Sequence, residues 1–241
     1  NVCVSIILYK KSLTKLLYHI IQNIFTNDPK IMDDKRFFLA AVREFSYPQP
    51  KRQCLQYLQT LGIQLPIITY DCKKYITGGL LPLMKLICST PVQTRCFFEI
   101  IPPNCPAKLF FDIDHNGGVN KEEYAQFQEL FIETVVEQLR EQFLFEDWEH
   151  FCEPIILQSR GTAKHSVHYV FPVIFENVAL MKQFVLKLVD KLKGAQFVED
   201  IDVGVYTSWR NFRLVANTKQ GKQNHLIILN KAERKLTLPQ Q

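Results

Sequence analysis

Two aspartates, Asp112 and Asp114, stand two residues apart at the end of the apolar segment AKLFFDID (107–114). Alternate residues of a β-strand share a face, so both carboxylates are expected on the same side. Two such charges about 4 Å apart repel each other by about 4 kcal/mol at an effective dielectric constant of about 20, which favours a bound divalent cation. The alternative for an isolated D-x-D pair is a solvated turn after a strand.

The segment DIDHNGGVNKEE (112–123) also matches the calcium loop of an EF-hand. The matching positions are Asp112, Asp114, Asn116, Gly117, Asn120 and Glu123. An EF-hand needs an entering helix, whereas prolines and β-favouring residues precede Asp112. We therefore expect a glycine turn at 117–118 and a helix capped by Asn120 and Glu123. An EF-hand-like calcium-binding protein stays open as an alternative.

A second polar row lies in the segment KHSVHYVF (164–171). Lys164, Ser166 and His168 alternate and share one side of a strand. An ammonium, a hydroxyl and an imidazole side by side can bind phosphate. A half-exposed strand with its polar residues outward explains the same pattern.

A third segment, DIDVGVYTSWRNFRLVANTKQGK (200–222), combines one carboxylate with several cations. The carboxylate is Asp202, and the cations are Arg210, Arg213, Lys219 and Lys222. Phosphate and carboxylate chemistry can meet here, although a basic hairpin that binds any polyanion would look the same.

Charge is distributed unevenly along the 241 residues, although the net charge is only +5. Residues 1–99 carry 13 Lys/Arg against 6 Asp/Glu, residues 100–158 carry 3 against 12, and residues 159–241 carry 13 against 6. Two basic regions that flank an acidic one suit phosphate binding around a carboxylate metal site. Seven cysteines without a C-x-x-C pair indicate reduced thiols, and no apolar run is long enough for a membrane span.

Hydrophobic periodicity predicts a mixed fold, α/β in its α+β form. The first third has mainly helical spacing, and later segments alternate between strands and helices. Predicted helices cover about 12–24, 33–46, 52–61, 120–143 and 178–193. Predicted strands cover 95–101, 107–114, 154–160, 165–172, 201–206, 211–216 and 225–229. We predict a helix-rich N-terminal module at 1–94 and a second module, with strands and helices, at 95–241.

Taken together, the segments RCFFEIIPPNCPAKLFFDID, KHSVH and DVGVYTSWRNFRLVANTKQGK resemble the PrimPol branch of the archaeo-eukaryotic primase superfamily. The similarity covers about 95–222, and it implies that the module at 95–241 is catalytic and that the module at 1–94 binds template DNA. It implies an RRM-like catalytic sheet and a DNA primase-polymerase that joins nucleotides on single-stranded DNA. It also implies a two-metal-ion mechanism in DNA replication.

The resemblance assigns a role to each matching residue. Asp112, Asp114 and Asp202 would be the catalytic ligands of Mg²⁺ or Mn²⁺. Nucleotide binding would fall to Lys164, Ser166, His168, Arg213 and Lys219, with Phe98 near the sugar. Arg210 and Lys222 would face nucleic acid.

The resemblance also implies partners. These are a single-stranded DNA template, nucleoside triphosphates and, in the primase-helicases of large DNA viruses, a helicase domain on the same full-length chain. An intracellular location is expected: host cytoplasm for a viral protein, otherwise nucleus or mitochondrion. Within these 241 residues we expect no counterpart of the zinc module that usually follows the PrimPol core. A non-catalytic single-strand-binding module is the competing hypothesis.

Overall fold

The structure is a computed structural model that describes residues 43–46, 49–61, 65–70, 72–143, 153–159, 164–207, 209–222 and 224–229. All of them belong to one compact unit, Ala40–Gln241. The predicted helices at 12–24 and, for most of its length, 33–46 lie outside these residues.

The first sheet has five antiparallel strands in the order β1-β3-β2-β4-β8. Its strands are β1 (Arg43–Phe45), β2 (Ile67–Tyr70), β3 (Lys74–Thr77), β4 (Phe97–Ile101) and β8 (Arg210–Arg213). Helix α1 (Pro50–Leu61) packs on a small apolar cluster with Ile67 and Ile100. Helix α2 (Leu80–Ser89) packs on a separate cluster with Ile68 and Phe97. Because neighbouring strand residues point to opposite sides, each helix covers its own face.

The second sheet has four antiparallel strands in the order β5-β7-β6-β9. These are β5 (Ala107–Asn116), β6 (Ile155–Ser159), β7 (Lys164–Phe175) and β9 (Leu226–Ile228). Two amphipathic helices, α3 (Lys121–Gln142) and α4 (Val178–Lys191), contribute buried residues to the same core as these strands. The chain is therefore an α+β protein with two antiparallel sheets.

The main core lies between the second sheet and the two long helices. Phe111 on β5 meets Phe131 on α3 edge to face, with ring centroids 4.9 Å apart. Tyr169 on β7 lies 5.0 Å from the same Phe131 ring. All three side chains are fully buried, and such aromatic pairs add to the free energy of burial.

Several predicted elements are confirmed with shifted ends, and two are wrong. Residues 201–206 form no strand but an isolated bridge at Ile201 followed by a short 3₁₀ turn, Val203–Val205. The turn forms because the Asp202 carboxylate accepts a hydrogen bond from the Gly204 amide. The end of the predicted helix 33–46 is also wrong, since Arg43–Phe45 pairs with β3 instead.

The region before residue 94 is less helical than predicted. Of its described residues, 43–77 supply three strands, and the hairpin of β2 and β3 and helix α2 were not predicted. Strand pairing also crosses the predicted module boundary, because β2 pairs with β4. Local spacing missed this arrangement because non-local pairing partners override helix propensity.

Among the described helices, none combines the length and the apolar character that a membrane crossing requires.

Candidate active-site cleft

Strands β5 and β7 bring the two predicted polar rows together. Their antiparallel register places Asp112 opposite His168 and Asp114 opposite Ser166. Since residues in register share a face, the carboxylates and the row of Lys164, Ser166 and His168 lie on the same side of the sheet. The opposite side of the same strands faces the aromatic core.

Asp202 joins this face from a distant part of the chain. Its backbone amide donates a hydrogen bond to the Asp112 carbonyl at 2.9 Å, and the preceding Ile201 bridges to Ile113. A methyl group at Gly204 would lie 2.9 Å from Asp202 Oδ1, so a larger residue here would displace the carboxylate that accepts from the Gly204 amide. The turn fixes the third aspartate next to the first.

Tyr206 fastens the end of the same turn. Its buried hydroxyl donates to the Phe110 carbonyl at 2.6 Å. Burial, followed by the charges of Asp112 and Asp202, raises the pKa of the phenol well above its ordinary value. Tyr206 therefore stays protonated and keeps donating at any physiological pH.

Each of the three aspartates faces a basic side chain. Lys164 Nζ lies 2.6 Å from Asp114 Oδ2, and Arg210 Nη2 lies 3.5 Å from Asp202 Oδ2. His168 Nε2 lies 3.4 Å from Asp112 Oδ1. Carboxylates and basic side chains therefore alternate across the face, as expected of a site for an anionic, metal-bound ligand.

The Asp112 carboxyl shows the balance of these effects. Burial opposes its ionisation, but His168, Lys219 and Arg210 outweigh burial and lower the pKa of the carboxyl below its usual range. Asp112 is therefore an anion at neutral pH.

A cleft of about 390 Å³ opens beside Asp112. Its lining residues are Phe98, Asp112, His168, Thr207, Trp209, Arg210, Asn211, Phe212, Arg213 and Lys219. Strands β4 and β8 of the first sheet and β5 and β7 of the second all contribute to it. A cleft of this size can hold a nucleotide.

Arg213 is the most deeply placed cation of the cleft, with 3% of its surface exposed. Its Nη1 donates to the Asn224 carbonyl at 3.3 Å, and Nε has no hydrogen-bond partner among the described residues. Burial lowers the pKa of the guanidinium, and the nearby charges of Asp112 and Asp114 oppose this effect. An incoming anion would supply the partner that Nε lacks.

The loop after β8 carries Lys219 into the cleft. Asn217, fully buried, accepts a hydrogen bond from the Phe97 amide at 2.9 Å, and the Thr218 amide donates to the Arg95 carbonyl at 3.0 Å. Both contacts anchor the loop to β4 and the residues before it. Lys222 is exposed and does not line the cleft.

The eleven predicted site residues therefore fall into two groups. Six line the cleft: Phe98, Asp112, His168, Arg210, Arg213 and Lys219. Four others, Asp114, Lys164, Ser166 and Asp202, lie beside it through the strand register or through direct pairing with these six. Lys222 is set apart from both groups.

Four lining residues were not predicted. Thr207, Trp209, Asn211 and Phe212 belong to the segment that supplies Arg210 and Arg213. Phe212 could have been predicted from the alternation of side chains along β8. In the structure its ring lies 4.7 Å from the ring of Phe110 and 4.7 Å from that of His168. Trp209 could not have been predicted in this way, because its backbone is left-handed, with φ of +63°, and leaves the strand pattern.

This face offers two buried carboxylate oxygens to a divalent cation. Asp114 Oδ1 has no hydrogen-bond partner among the described residues, and Asp112 Oδ1 has only the 3.4 Å contact with His168 Nε2, which is an ion-pair contact and not a hydrogen bond. Buried carboxylate oxygens without a donor suit Mg²⁺ or Mn²⁺. Across the described ranges, no three side chains of His, Cys, Asp or Glu already form a metal-binding group. Asp112 and Asp114 fit a cation, and the participation of Asp202 stays a prediction.

The acidic loop has a different context from that of an EF-hand. Residues 107–116 form a β-strand, so the loop lacks the entering helix that an EF-hand requires. Asn120 caps α3 by accepting from the Glu122 amide at 3.0 Å. The Glu123 carboxylate accepts from Gln196 Nε2 instead of closing a capping box.

No family model matches this chain, and no curated protein matches it.

Proposed function

We propose that this chain is a DNA primase-polymerase catalytic domain, which joins nucleotides on a single-stranded DNA template. The observation that carries the proposal is the meeting of three aspartates from two distant segments with the cations of the cleft. Asp202 is held by a 2.9 Å backbone hydrogen bond to Asp112, and Asp114 lies two residues further along the strand.

Different cleft residues would contact different parts of a nucleoside triphosphate. Arg213 and Lys219 supply cationic donors for the phosphates. His168 has its Nε2 turned to Asp112, while its buried Nδ1 has no partner among the described residues and is available to the ligand. The Phe98 ring offers an apolar surface for the sugar.

Asp112 and Asp114, together with Asp202, would hold Mg²⁺ or Mn²⁺. When bound, such ions lower the pKa of an attacking 3′-hydroxyl and neutralise the charge of the leaving phosphates. The chain's own contribution is to position the carboxylates on a rigid strand and to keep the cations close by. Lys164 and Arg210 balance the carboxylate charge, which would otherwise repel an anionic substrate.

The direct test is a primer-synthesis and primer-extension assay on single-stranded DNA. Ribonucleotides and deoxyribonucleotides are compared in parallel, with Mg²⁺ or Mn²⁺. We expect template-dependent products from the wild-type chain and none from Asp112→Asn. Equal extension by Asp112→Asn protein would overturn the proposal.

A non-catalytic single-strand-binding module is the second candidate. It is favoured by the pairing of every site carboxylate with a basic side chain, which balances the charge of the face without a metal. This candidate predicts binding of oligonucleotides that does not depend on Mg²⁺ or Mn²⁺ and no product in either assay.

A further inference from the structure

Trp209 occupies an unusual position at the edge of the cleft. It is half-buried, it lines the cleft beside Arg210, and its backbone is left-handed, with φ of +63°. A bulky side chain disfavours this conformation, so the surrounding fold holds Trp209 there against its local preference. Backbone strain of this kind is concentrated at functional sites.

The Trp209 ring is paired with a cation from another element. Lys51, in the first turn of α1, places its ammonium 4.6 Å from the centroid of the indole. Arg52 follows and is exposed, and the first turn of α1 contains no acidic residue. Cations at a helix N-terminus oppose the helix dipole, so helix stability does not explain them.

A second cation and aromatic pair lies next to α1. The guanidinium of Arg43, which is exposed, lies 4.6 Å from the centroid of the Tyr57 ring. Trp209 and Tyr57 both pack against the apolar cluster under α1. Rings and cations therefore continue along α1 beyond the cleft.

Trp209, Tyr57, Lys51, Arg52 and Arg43 form a strip of rings and cations along α1. The strip suits a ligand that repeats flat rings and anionic groups. A single nucleotide is accounted for by Arg213 and Lys219 in the cleft, and its three phosphates cannot also extend along α1. An extended single strand of nucleic acid offers a base to each ring and a phosphate to each cation.

We propose that the template strand lies along α1, with Trp209 stacked on the template base nearest the cleft and Lys51 and Arg52 on its phosphates. This inference rests on the proposed function and deepens it, since it assigns the template a path that the predicted site residues do not include.

Indole fluorescence gives a direct readout of stacking. The chain has two tryptophans, so a Trp148→Phe chain carries Trp209 as its sole indole. We expect a single-stranded oligodeoxythymidylate to quench its emission without nucleotide or metal present. A deoxynucleoside triphosphate alone should leave the emission unchanged. Quenching by the nucleotide alone, or no response to the oligonucleotide, would overturn the inference.

Substitutions measure how much the strip contributes to binding. We expect Trp209→Ala to weaken oligonucleotide binding about five- to 150-fold, the range for loss of one stacked base. Trp209→Phe should restore most of the affinity. The melting temperature of each variant shows whether its fold is intact. Unchanged affinity in folded Trp209→Ala protein contradicts the inference.

Salt dependence tests the phosphate contacts. Lys51→Gln should lower the slope of log affinity against log salt by about 0.7, the value for one lost phosphate contact on a single strand. Lys187→Gln, which removes an exposed cation from α4, is the matched control and should leave the slope unchanged. Equal slopes for both variants would remove the phosphate contact from the inference.

The two proposals fail in different ways. An Asp112→Asn chain that is inactive but retains the Trp209 quench supports both. A wild-type chain that makes no product but shows the quench refutes polymerase activity alone. A Trp209→Ala chain that binds and copies template normally refutes the template path alone.

Discussion

The two faces of the strand pair β5 and β7 are built on opposite principles. On the core face, Phe111 and Tyr169 are fully buried against Phe131 of α3. On the cleft face, Asp112 and Asp114 each keep a buried oxygen that has no hydrogen-bond partner among the described residues. One pair of strands therefore carries fully buried aromatic rings on one face and buried carboxylate oxygens on the other.

The contrast separates what stabilises the fold from what the site requires. Burying aromatic surface lowers the free energy of the folded state, whereas burying a carboxylate oxygen without a donor raises it. Packing on the core face holds the two strands in register and offsets the free-energy cost of the cleft face. A cleft face that costs stability is best explained by a ligand.

Altering the cleft face alone is the most direct test of whether this face serves activity and not stability. Asp114→Asn should reduce nucleotidyl transfer by about a thousandfold or more, because metal-based charge stabilisation contributes several kcal/mol. Its ion pair with Lys164 is partly exposed, so the free energy of unfolding should change by less than about 1 kcal/mol. Primer extension and urea denaturation measure the two effects. A large loss of stability would show that Asp114 is structural.

The complementary change is made on the core face. Phe131→Ala removes a fully buried ring and should lower the free energy of unfolding by about 3–5 kcal/mol. Activity per folded molecule should stay close to wild type, because Phe131 does not line the cleft. Urea denaturation measures the loss of stability. An extension assay corrected for the fraction of folded protein measures the activity. A selective loss of activity would mean that the two faces are coupled.

Within the cleft, Arg213 can be compared with Lys222 for its effect on nucleotide binding. Arg213→Ala should raise the KM for nucleotide about 10- to 150-fold, the range for loss of a charge-assisted hydrogen bond, with a smaller change in kcat. Lys222→Ala removes an exposed cation of the following loop and should leave this KM unchanged. Steady-state kinetics at saturating template separate the two. Similar effects of both variants would indicate a general charge effect.

The smallest expected effect concerns His165, which lies on the core face opposite His115. Burial, followed by the charge of His115, lowers the pKa of His165 below its ordinary value of about 6.5. As pH falls below about 6.5 the unfolded chain takes up this proton first, so its contribution to stability is complete above that pH and declines below it.

Melting temperature against pH tests this contribution. Between pH 7 and pH 5, the melting temperature should fall less steeply for His165→Gln than for the wild-type chain. His225→Gln removes a half-buried imidazole outside this strand pair and is the control. An unchanged slope in His165→Gln would show that His165 does not contribute.

The sequence was most informative where one strand's own pattern carries the information. Strand β5 and helix α3 were predicted to within two residues of their observed ends, because alternation in 107–114 and the cap at Asn120 are local signals. The pairing of Asp112 with His168 follows from a register that no single segment contains. The strand predicted at 201–206 failed because one side chain, Asp202, closes a turn on Gly204.

By itself, the sequence determined the chemistry that is available: two aspartates on one strand face, an alternating row of lysine, serine and histidine, and a late aspartate followed by cations. Only the tertiary structure decided that these groups meet, because their contact depends on strand register and on one backbone hydrogen bond between Asp202 and Asp112. It alone also placed Trp209 beside Lys51, since a left-handed backbone and a contact across 158 residues leave no periodic trace.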